Sequence, residues 1–319
     1  MIGYDCPMTK TLIPIVIACS QRKRKSDLPS IKLETVINGD DLAQIADSWL
    51  ESLNCYESKL SAVDTYVGGE WPSVRELAKK GFPVYVCSAG YGLLASSDLV
   101  ARYDATFSKQ VSNSVVKALS AQQKVSDWVD VISNKRIQQG APSFDQLFGQ
   151  NKTVVVSLSA PYLEAFWPSI FSASNKYKDC EVLLFCPSVF KPCETSALNL
   201  NIFHLDERWR TFLKCTRSTL ATTAAIYLIS SFPVLNREAV CEFDSSLPSV
   251  PRAKAKKKFE NDEALQDVLR QGWSSGLIPR QTTKALAYVR NTLGWACEQS
   301  RFARIVRDLK ASEDLYGEG

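Results

Sequence analysis

Two short segments hold most of the side chains that could take part in chemistry. The first follows an apolar run and reads Cys19-Ser20-Gln21-Arg22-Lys23-Arg24-Lys25. In such a loop, backbone N–H groups and the Ser20 hydroxyl could hold a phosphate while Lys23 or Arg24 neutralises its charge. The alternative is a solvated basic loop in which Cys19 only packs. The candidate substrate-binding residues of this segment are Cys19, Ser20, Gln21 and Lys23.

The second segment runs from Ser88 to Asp104 and contains two closely spaced glycines. Small residues let the backbone come close to a ligand, and glycines permit unusual torsions. Asp98 and Asp104 supply carboxylates, while Tyr91 and Tyr103 supply rings for stacking. The alternative is a structured turn between a strand and a helix, with Tyr91 packed in the core.

The elements that would position these segments follow from the apolar pattern. Short β-branched runs bounded by polar or small residues predict strands at 12–19, 83–88, 153–158, 181–186 and 200–204. Helical patterns lie between and after them, at about 40–54, 71–80, 112–138, 163–171 and 209–230. This alternation predicts an α/β fold with a mostly parallel central sheet flanked by helices.

Ligands of such sheets bind beyond the carboxyl ends of the strands. Both segments would therefore lie at one edge of the sheet, together with the ends of the later strands. Ser159 and Tyr162 follow the third predicted strand, and Ser188 follows the fourth. His204, the only histidine, ends the fifth. These residues join the candidate site, although hydroxyl residues are also ordinary loop residues.

The chain divides into three parts by composition. Residues 1–231 form the predicted α/β core, 232–258 a linker that ends in a basic run, and 259–319 a small helical module. Two amphipathic helices joined near Gly294 match a helix-turn-helix outline, and a helical bundle with a solvated basic face is the alternative. The candidate DNA-binding residues are Arg252, Lys256, Lys257, Lys284, Arg290, Arg301 and Arg304.

Composition narrows the class of protein. The 319 residues carry a net charge of only +4, and 45% of them are hydrophobic, which favours a globular chain. The apolar run at 12–19 is too short for a membrane span and lacks a cleavage site, so a cytoplasmic protein without membrane contact is expected. The ten cysteines include no Cys-x-x-Cys pair. We therefore expect reduced, mostly buried thiols, with no metal and no cofactor.

Taken together, the motifs resemble a known superfamily over roughly residues 12–210. The stretch Tyr91-Gly92-Leu93-Leu94, followed by Asp98-Leu99-Val100 and Arg102-Tyr103-Asp104, is similar to the peroxide-stress proteins of the YaaA type. Those proteins carry Tyr-Gly-Leu-Leu-Arg-Pro-Leu-Asp and then Pro-Tyr-Arg. Here Ala95-Ser96-Ser97 stands in place of Arg-Pro-Leu, and Asp104 in place of the last Arg. The Cys-Ser element also resembles the core of archaeosine synthase, which is similar to uracil-DNA glycosylase.

The resemblance extends to anti-phage DNA glycosylases, and it implies a function. The resemblance implies that the chain hydrolyses the N-glycosidic bond of a modified cytosine in double-stranded phage DNA as antiviral defence, and that this base is a glucosylated hydroxymethyl cytosine. Two alternatives stay open: a noncatalytic DNA-binding stress protein, and a base-exchanging transglycosylase or deoxyribosyltransferase.

The implied chemistry assigns roles to the candidates. A carboxylate near C1′ would stabilise the oxocarbenium-like sugar or orient water, with Asp104 as first choice and Asp98 as second. In uracil-type glycosylases a late histidine stabilises the leaving base, which gives His204 a role beside its structural alternative. The flipped base would stack on Tyr91, Tyr103 or Tyr162 and would bond to Ser20, Gln21 or Ser88.

Overall fold

The computed structural model describes residues 12–25, 28–36, 41–108, 111, 113–120, 122–187, 190, 199–250, 257–259 and 261–316, with side chains up to 312. The chain divides into two compact units between Val250 and Pro251. Each unit has its own hydrophobic core. In the described part of the chain, no helix is both long and apolar enough to cross a membrane.

The first unit is built on a six-stranded sheet. Its strands lie in the order β10, β9, β8, β1, β4, β5, and all neighbours are parallel except β5, which pairs antiparallel with β4. The strands of this unit are β1 (Ile15–Ala18), β2 (Ile31–Lys32), β3 (Lys59–Ser61), β4 (Val84–Ser88), β5 (Gly92–Ala95), β6 (Leu99–Ala101), β7 (Tyr103–Asp104), β8 (Thr153–Ser157), β9 (Glu181–Pro187) and β10 (Leu200–Leu205).

Helices cover the sheet in two packed groups. Helices α3 and α9 contact each other and strands β4, β8 and β9, whereas α5, α6 and α7 pack together and contact β5, β8 and β9. The helices of this unit are α1 (Leu42–Asn54), α2 (Ala62–Thr65), α3 (Trp71–Lys79), α4 (Val115–Ala118), α5 (Val125–Ile137), α6 (Phe144–Gln150), α7 (Ala160–Lys176), α8 (Glu207–Leu213), α9 (Leu220–Ser231) and α10 (Arg237–Ser246).

The predicted α/β class is confirmed as a mixed, mostly parallel sheet flanked by helices. Its central strands are continuous apolar runs because both faces are covered: Val154, Val155 and Val156 of β8 are all fully buried. Strand β5 differs from the expected loop. The Ser88 hydroxyl accepts the N–H groups of the next turn, and Gly92 adopts φ +70°, so the chain reverses and runs back along β4.

The expected linker at 232–258 is partly helical, which corrects the sequence-based boundary. Helix α10 lies within it and belongs to the first unit, where Val240 is fully buried. The Asn236 side chain caps this helix by accepting the N–H of Ala239. The signal was missed because the helix is short and rich in Ser, Asp and Glu.

The second unit contains α11 (Asp262–Ser274), α12 (Thr282–Asn291) and α13 (Gln299–Tyr316), together with a parallel pair of two-residue strands, β11 (Lys257–Lys258) and β12 (Trp295–Ala296). Its core includes Leu265, Leu269 and Phe302, all fully buried. The stacked rings of Phe259 and Trp295, 4.3 Å apart, flank the paired strands. The helix-turn-helix interpretation of this unit stays a prediction.

Candidate functional site

A group of buried polar side chains joins the ends of β1 and β4. We call it the cysteine–tyrosine cluster, and its members are Cys19, Tyr66, Ser88, Tyr103 and Tyr162. Cys19 directly follows β1, Ser88 ends β4, and Tyr162 lies in the first turn of α7 after β8. Three adjacent strands therefore deliver their ends to one place, as the parallel arrangement predicts.

The hydrogen bonds of this cluster run in one direction. The Ser88 hydroxyl already accepts two backbone N–H groups, so its own proton goes to the Tyr103 hydroxyl, 2.7 Å away. The Tyr66 hydroxyl lies 2.9 Å from that of Tyr103, and Tyr103 donates to the sulfur of Cys19 at 3.7 Å. In this arrangement the hydroxyl protons of Tyr66, Ser88 and Tyr103 each have an acceptor, as buried groups require.

A second hydroxyl donates to the same sulfur. The Tyr162 hydroxyl lies 2.9 Å from the sulfur of Cys19, its one hydrogen-bond partner among the described residues. Burial raises the pKa of Tyr66, Tyr103 and Tyr162 well above the usual range, with Cys19 adding to the shift. These phenols therefore keep their protons and act as donors at neutral pH, so the sulfur accepts two O–H groups.

Lys23 is the cation of the Cys19 loop that turns inward. Its ammonium nitrogen lies 3.9 Å from the centre of the Tyr103 ring and 5.8 Å from that of Tyr66, in cation–π geometry. A backbone bridge between Lys23 and Tyr66 holds the loop there. Burial lowers the pKa of Lys23, and the nearby Cys19 and Asp104 oppose that shift. Arg24, by contrast, is exposed and lies 4.0 Å from Asp64.

Two cavities flank the cluster. The larger, of about 530 Å³, opens at the carboxyl ends of β1, β8 and β9 and is bordered by Cys19, Glu70, Ser159, Cys186, Asp206 and Glu207, among others. The smaller, of about 160 Å³, is bordered by Gln21, Lys23, Ser30, Arg102, Tyr103 and Asp104. Because Cys19 borders one and Tyr103 the other, their contact lies between the two cavities.

Three carboxylates border the larger cavity, and two of them are already paired. Glu207 binds Arg210 and Arg217 at 2.5 and 2.7 Å. Asp206 caps α8 and binds Arg208 at 2.8 Å. The half-buried Glu70 has no hydrogen bond or ion pair to its carboxylate from any described side chain. It is the carboxylate of this cavity that can act on a ligand.

Sequence reasoning missed Glu70 and Tyr66. Both come from the segment between β3 and α3, which contains no strand of the central sheet. The available signal was the pair Gly68-Gly69 directly before Glu70 and the start of a helix, a place where a chain often approaches a ligand.

The remaining residues of the Cys19 and β7 loops have local partners. The Ser20 hydroxyl donates to the carbonyl oxygens of Arg22 and Val67, at 2.6 and 2.8 Å, and so closes its loop. The Gln21 amide donates to the Thr106 hydroxyl at 3.4 Å. Asp104 accepts a hydrogen bond from the Asn113 amide and borders the smaller cavity.

The structure places Asp98 away from this site. It follows β5, which runs back along β4, and neighbouring Ser96 bonds to Val84 at the start of that strand. The Asp98 carboxylate accepts the N–H of Ala95 and pairs with Arg136 at 3.6 Å. Asp98 and Asp104 therefore do not form a carboxylate pair, because the hairpin carries Asp98 to the opposite end of the sheet.

Tyr91 contributes to the core rather than to a surface for stacking. Its side chain is buried, and its hydroxyl accepts the N–H of Ala101 at 2.9 Å. Its ring makes an edge contact with Tyr103, and the Arg136 guanidinium lies 5.3 Å from its centre. Burial raises the pKa of Tyr91 to about 12.

His204 lies on the edge strand β10 with an exposed side chain. Its Nδ1 is 3.4 Å from the sulfur of Cys186, the residue beside it on β9. Burial raises the pKa of Cys186 to about 12, so the thiol keeps its proton beside the imidazole. Cys186 and Ser159 border the larger cavity. Ser188 lies outside the described residues.

The cations proposed for DNA binding in the second unit differ in their surroundings. Lys257 and Lys284 are exposed. Arg301 and Arg304 both bind the carboxylate of Asp262, at 2.6 and 2.7 Å. Arg290 donates to the carbonyl oxygen of Cys297 at 2.7 Å and borders a cavity of about 470 Å³ with Lys258 and Arg301. Arg252 and Lys256 lie outside the described residues.

Comparisons with known proteins leave the chain without an assigned relative. A scan against models of protein families, a search of curated proteins and a search of solved structures each found no match. Membership of the superfamily that the motifs resemble therefore stays a prediction. Within the described part of the chain, no three His, Cys, Asp or Glu side chains lie close enough together to hold a metal ion.

Proposed function

We propose that the chain is an N-glycosidase that removes a modified base from DNA. The observation that carries the proposal is the carboxylate of Glu70, which no described side chain binds, at the border of a cavity of about 530 Å³ at the strand ends that Cys19 also borders. Pockets for small molecules measure about 300–1,000 Å³, so a nucleoside fits this space. Hydrolysis of a glycosidic bond uses a carboxylate close to C1′ of the sugar, where positive charge develops.

The chemistry assigns Glu70 the central role in this cavity. Cleavage of the N-glycosidic bond builds positive charge on the sugar, which a nearby carboxylate stabilises, and the same carboxylate can take a proton from the attacking water. Asp104, the carboxylate expected from the motif, borders the smaller cavity instead. The departing base gains electron density and needs a hydrogen-bond donor, which the hydroxyl groups bordering this cavity, such as that of Ser159, can supply.

The lining of the larger cavity favours a hydroxyl-rich substrate. Ser159, Ser218 and Thr222 supply hydroxyl groups, and Arg217 supplies a cation at its border. This set matches the proposed glucosylated hydroxymethyl cytosine of phage DNA, acted on in the cytoplasm as antiviral defence. The basic residues of the second unit would add the nonspecific affinity for phosphate that an enzyme searching duplex DNA requires.

The test is an excision assay on three phage DNAs that carry cytosine, hydroxymethyl cytosine or glucosylated hydroxymethyl cytosine. Abasic sites, measured as alkali-labile breaks, are expected in the glucosylated DNA. Glu70→Gln is expected to lower the rate by about 100-fold or more, the size of a general acid–base contribution. Glu76→Gln, an exposed carboxylate on α3, is the matched control and should keep the rate.

Two outcomes would contradict the proposal. DNA binding without abasic sites in any of the three DNAs would favour the noncatalytic alternative. Full activity of a folded Glu70→Gln variant would remove the residue on which the mechanism depends.

A base-exchanging transglycosylase is the second candidate, and Cys19 is the observation that favours it. Cys19 borders the cavity, and its sulfur accepts two hydrogen bonds from hydroxyl groups; a thiol at this place is a potential nucleophile, which direct hydrolysis by water does not need. Incorporation of a labelled free base into DNA, with no net abasic sites, would identify this activity.

A further inference from the structure

The smaller cavity is built from three short segments that meet beside the cysteine–tyrosine cluster. Strand β2 pairs with β7, so Ser30, which directly precedes β2, lies close to Arg102. The bridge between Lys23 and Tyr66 brings the Cys19 loop to the same place. The resulting cavity of about 160 Å³ is bordered by two cations, one carboxylate and the polar side chains of Gln21, Ser30 and Tyr103.

The charge of this lining favours an anion. Lys23 and Arg102 contribute two positive charges and Asp104 one negative charge, which leaves a net charge of +1. A phosphodiester carries one negative charge, whereas a divalent cation would meet two like charges. The Asp104 carboxylate is also engaged, because it accepts a hydrogen bond from Asn113.

Lys23 lacks the partners that a half-buried ammonium group normally has. No described carboxylate lies within 4.0 Å of its nitrogen, and no described acceptor forms a hydrogen bond with it; its neighbours are the faces of two tyrosine rings. An ammonium group removed from water without an acceptor is unfavourable. A ligand oxygen in the cavity would supply that acceptor through a charge-assisted hydrogen bond.

We propose that the smaller cavity is a phosphate subsite, in which Lys23 and Arg102 bind a phosphate group of the nucleotide whose base enters the larger cavity. This assignment rests on the proposed function for the identity of the nucleotide. Cys19 borders the larger cavity, Tyr103 borders the smaller, and the two side chains are in contact, so in this proposal one nucleotide places its phosphate in the smaller cavity and its sugar and base in the larger. The ligand is either a DNA strand or a free nucleotide, and in both cases the group that Lys23 and Arg102 bind is a phosphate.

The test measures binding by calorimetry at low ionic strength, with no excision step. The probes are inorganic phosphate, deoxycytidine 5′-monophosphate, deoxycytidine and a short single-stranded oligonucleotide. Phosphate and the monophosphate are expected to bind, and deoxycytidine to bind at least about tenfold more weakly, since one charge-assisted hydrogen bond accounts for a factor of that order. Tighter binding of the oligonucleotide would identify DNA as the source, and equal binding a free nucleotide.

Variants assign the binding to this cavity. Lys23→Gln and Ser30→Glu should each weaken phosphate binding by about tenfold or more, the first by removing a cation and the second by adding a repelling carboxylate. Arg24→Gln, in the same loop but exposed, should leave the affinity within about twofold. Circular dichroism checks the fold of each variant. If Lys23→Gln does not fold, the affinity of Ser30→Glu for phosphate tests whether the binding site is the smaller cavity.

The proposal is overturned if phosphate and the monophosphate do not bind at millimolar concentration, or if folded Lys23→Gln and Ser30→Glu bind as the unchanged chain does. An equal loss of affinity in Arg24→Gln would also overturn it. Phosphate binding without any excision would instead contradict the glycosidase and leave the subsite standing. Excision without phosphate binding would contradict the phosphate subsite and leave the glycosidase proposal standing.

Discussion

At the sulfur of Cys19, the direction of two hydrogen bonds affects the reactivity of the thiol. Tyr103 and Tyr162 are buried phenols that keep their protons, so both donate to the sulfur. Cys19 also borders the larger cavity. Hydroxyl groups that donate to the sulfur can stabilise negative charge that develops there when the residue reacts.

This geometry predicts that Tyr162→Phe slows alkylation of Cys19. Loss of one donated hydrogen bond should lower the rate with iodoacetamide by about 3- to 10-fold, the effect of about 1 kcal/mol. Mass spectrometry of the Cys19 peptide measures the rate separately from the exposed Cys55 and Cys241.

Tyr85→Phe is the control, because that tyrosine lies on β4 without a bond to the cluster. The direction of the change in alkylation rate separates two effects of removing the hydroxyl: loss of the hydrogen bond lowers the rate, whereas the space opened around the sulfur raises it. A faster or unchanged rate in Tyr162→Phe would show that access, and not hydrogen bonding, controls the thiol.

Residues that follow strands of the central sheet could be predicted as a site, and residues from elsewhere could not. Cys19, Ser88 and Tyr162 meet because parallel strands deliver their carboxyl ends to one edge. Asp98 was expected with them, but the hairpin after Gly92 reverses the chain and carries it away. Glu70 enters from a loop, where no periodicity in the sequence indicates a position in space.

Among the elements, α10 is attached by apolar packing of Val240 and Phe243 and by the polar bonds of one side chain, Asp244. The carboxylate of Asp244 accepts two hydrogen bonds from Arg208, both 3.0 Å, and one from the indole of Trp209 at 2.6 Å. Arg208 also donates to the Asp244 carbonyl oxygen at 2.9 Å. These bonds join α10 to α8 and leave the Trp209 indole fully buried with a satisfied N–H group.

Asp244→Ala is therefore expected to destabilise the first unit by about 1–2 kcal/mol. The indole N–H would lose its acceptor, while the ion pair contributes less because both partners are partly exposed. The free energy of unfolding in urea, followed by tryptophan fluorescence, measures the effect.

Asp145→Ala removes an exposed ion pair to Lys176 and should change the free energy of unfolding by no more than about 0.5 kcal/mol. Equal effects of the two substitutions would show that the indole bond does not stabilise α10.

Elements with strong periodicity were predictable, and short ones were not. The β-branched runs of β1, β4 and β8 indicate buried strands because both faces of the sheet are covered. Strand β5 has the sequence Gly-Leu-Leu-Ala and lacks β-branched residues, and helix α10 is rich in polar residues, so neither shows a strong apolar pattern. The bonds of Asp244 are contacts that such a pattern cannot indicate.

At the scale of the whole molecule, the division at Val250 separates two kinds of surface. The first unit carries the cysteine–tyrosine cluster and both of its cavities, whereas the second carries the cations expected to bind DNA. Each unit has a hydrophobic core of its own, so each can fold as a unit. Composition alone predicted a linker at 232–258, and the division at Val250 falls within that range, although the first part of it forms α10 of the first unit.

This division predicts that a chain ending at Val250 keeps its fold and loses most of its affinity for duplex DNA. Removal of several phosphate-binding cations should weaken binding at about 100 mM salt by tenfold or more and make the dependence of log affinity on log salt less steep. Fluorescence anisotropy of a labelled duplex at several salt concentrations gives both quantities. The full chain with Lys79→Gln and Lys80→Gln loses two exposed cations of the first unit and should keep the salt slope. If the shortened chain binds with an unchanged slope, the DNA-binding surface lies in the first unit, and the phosphate subsite becomes the main point of contact with the strand.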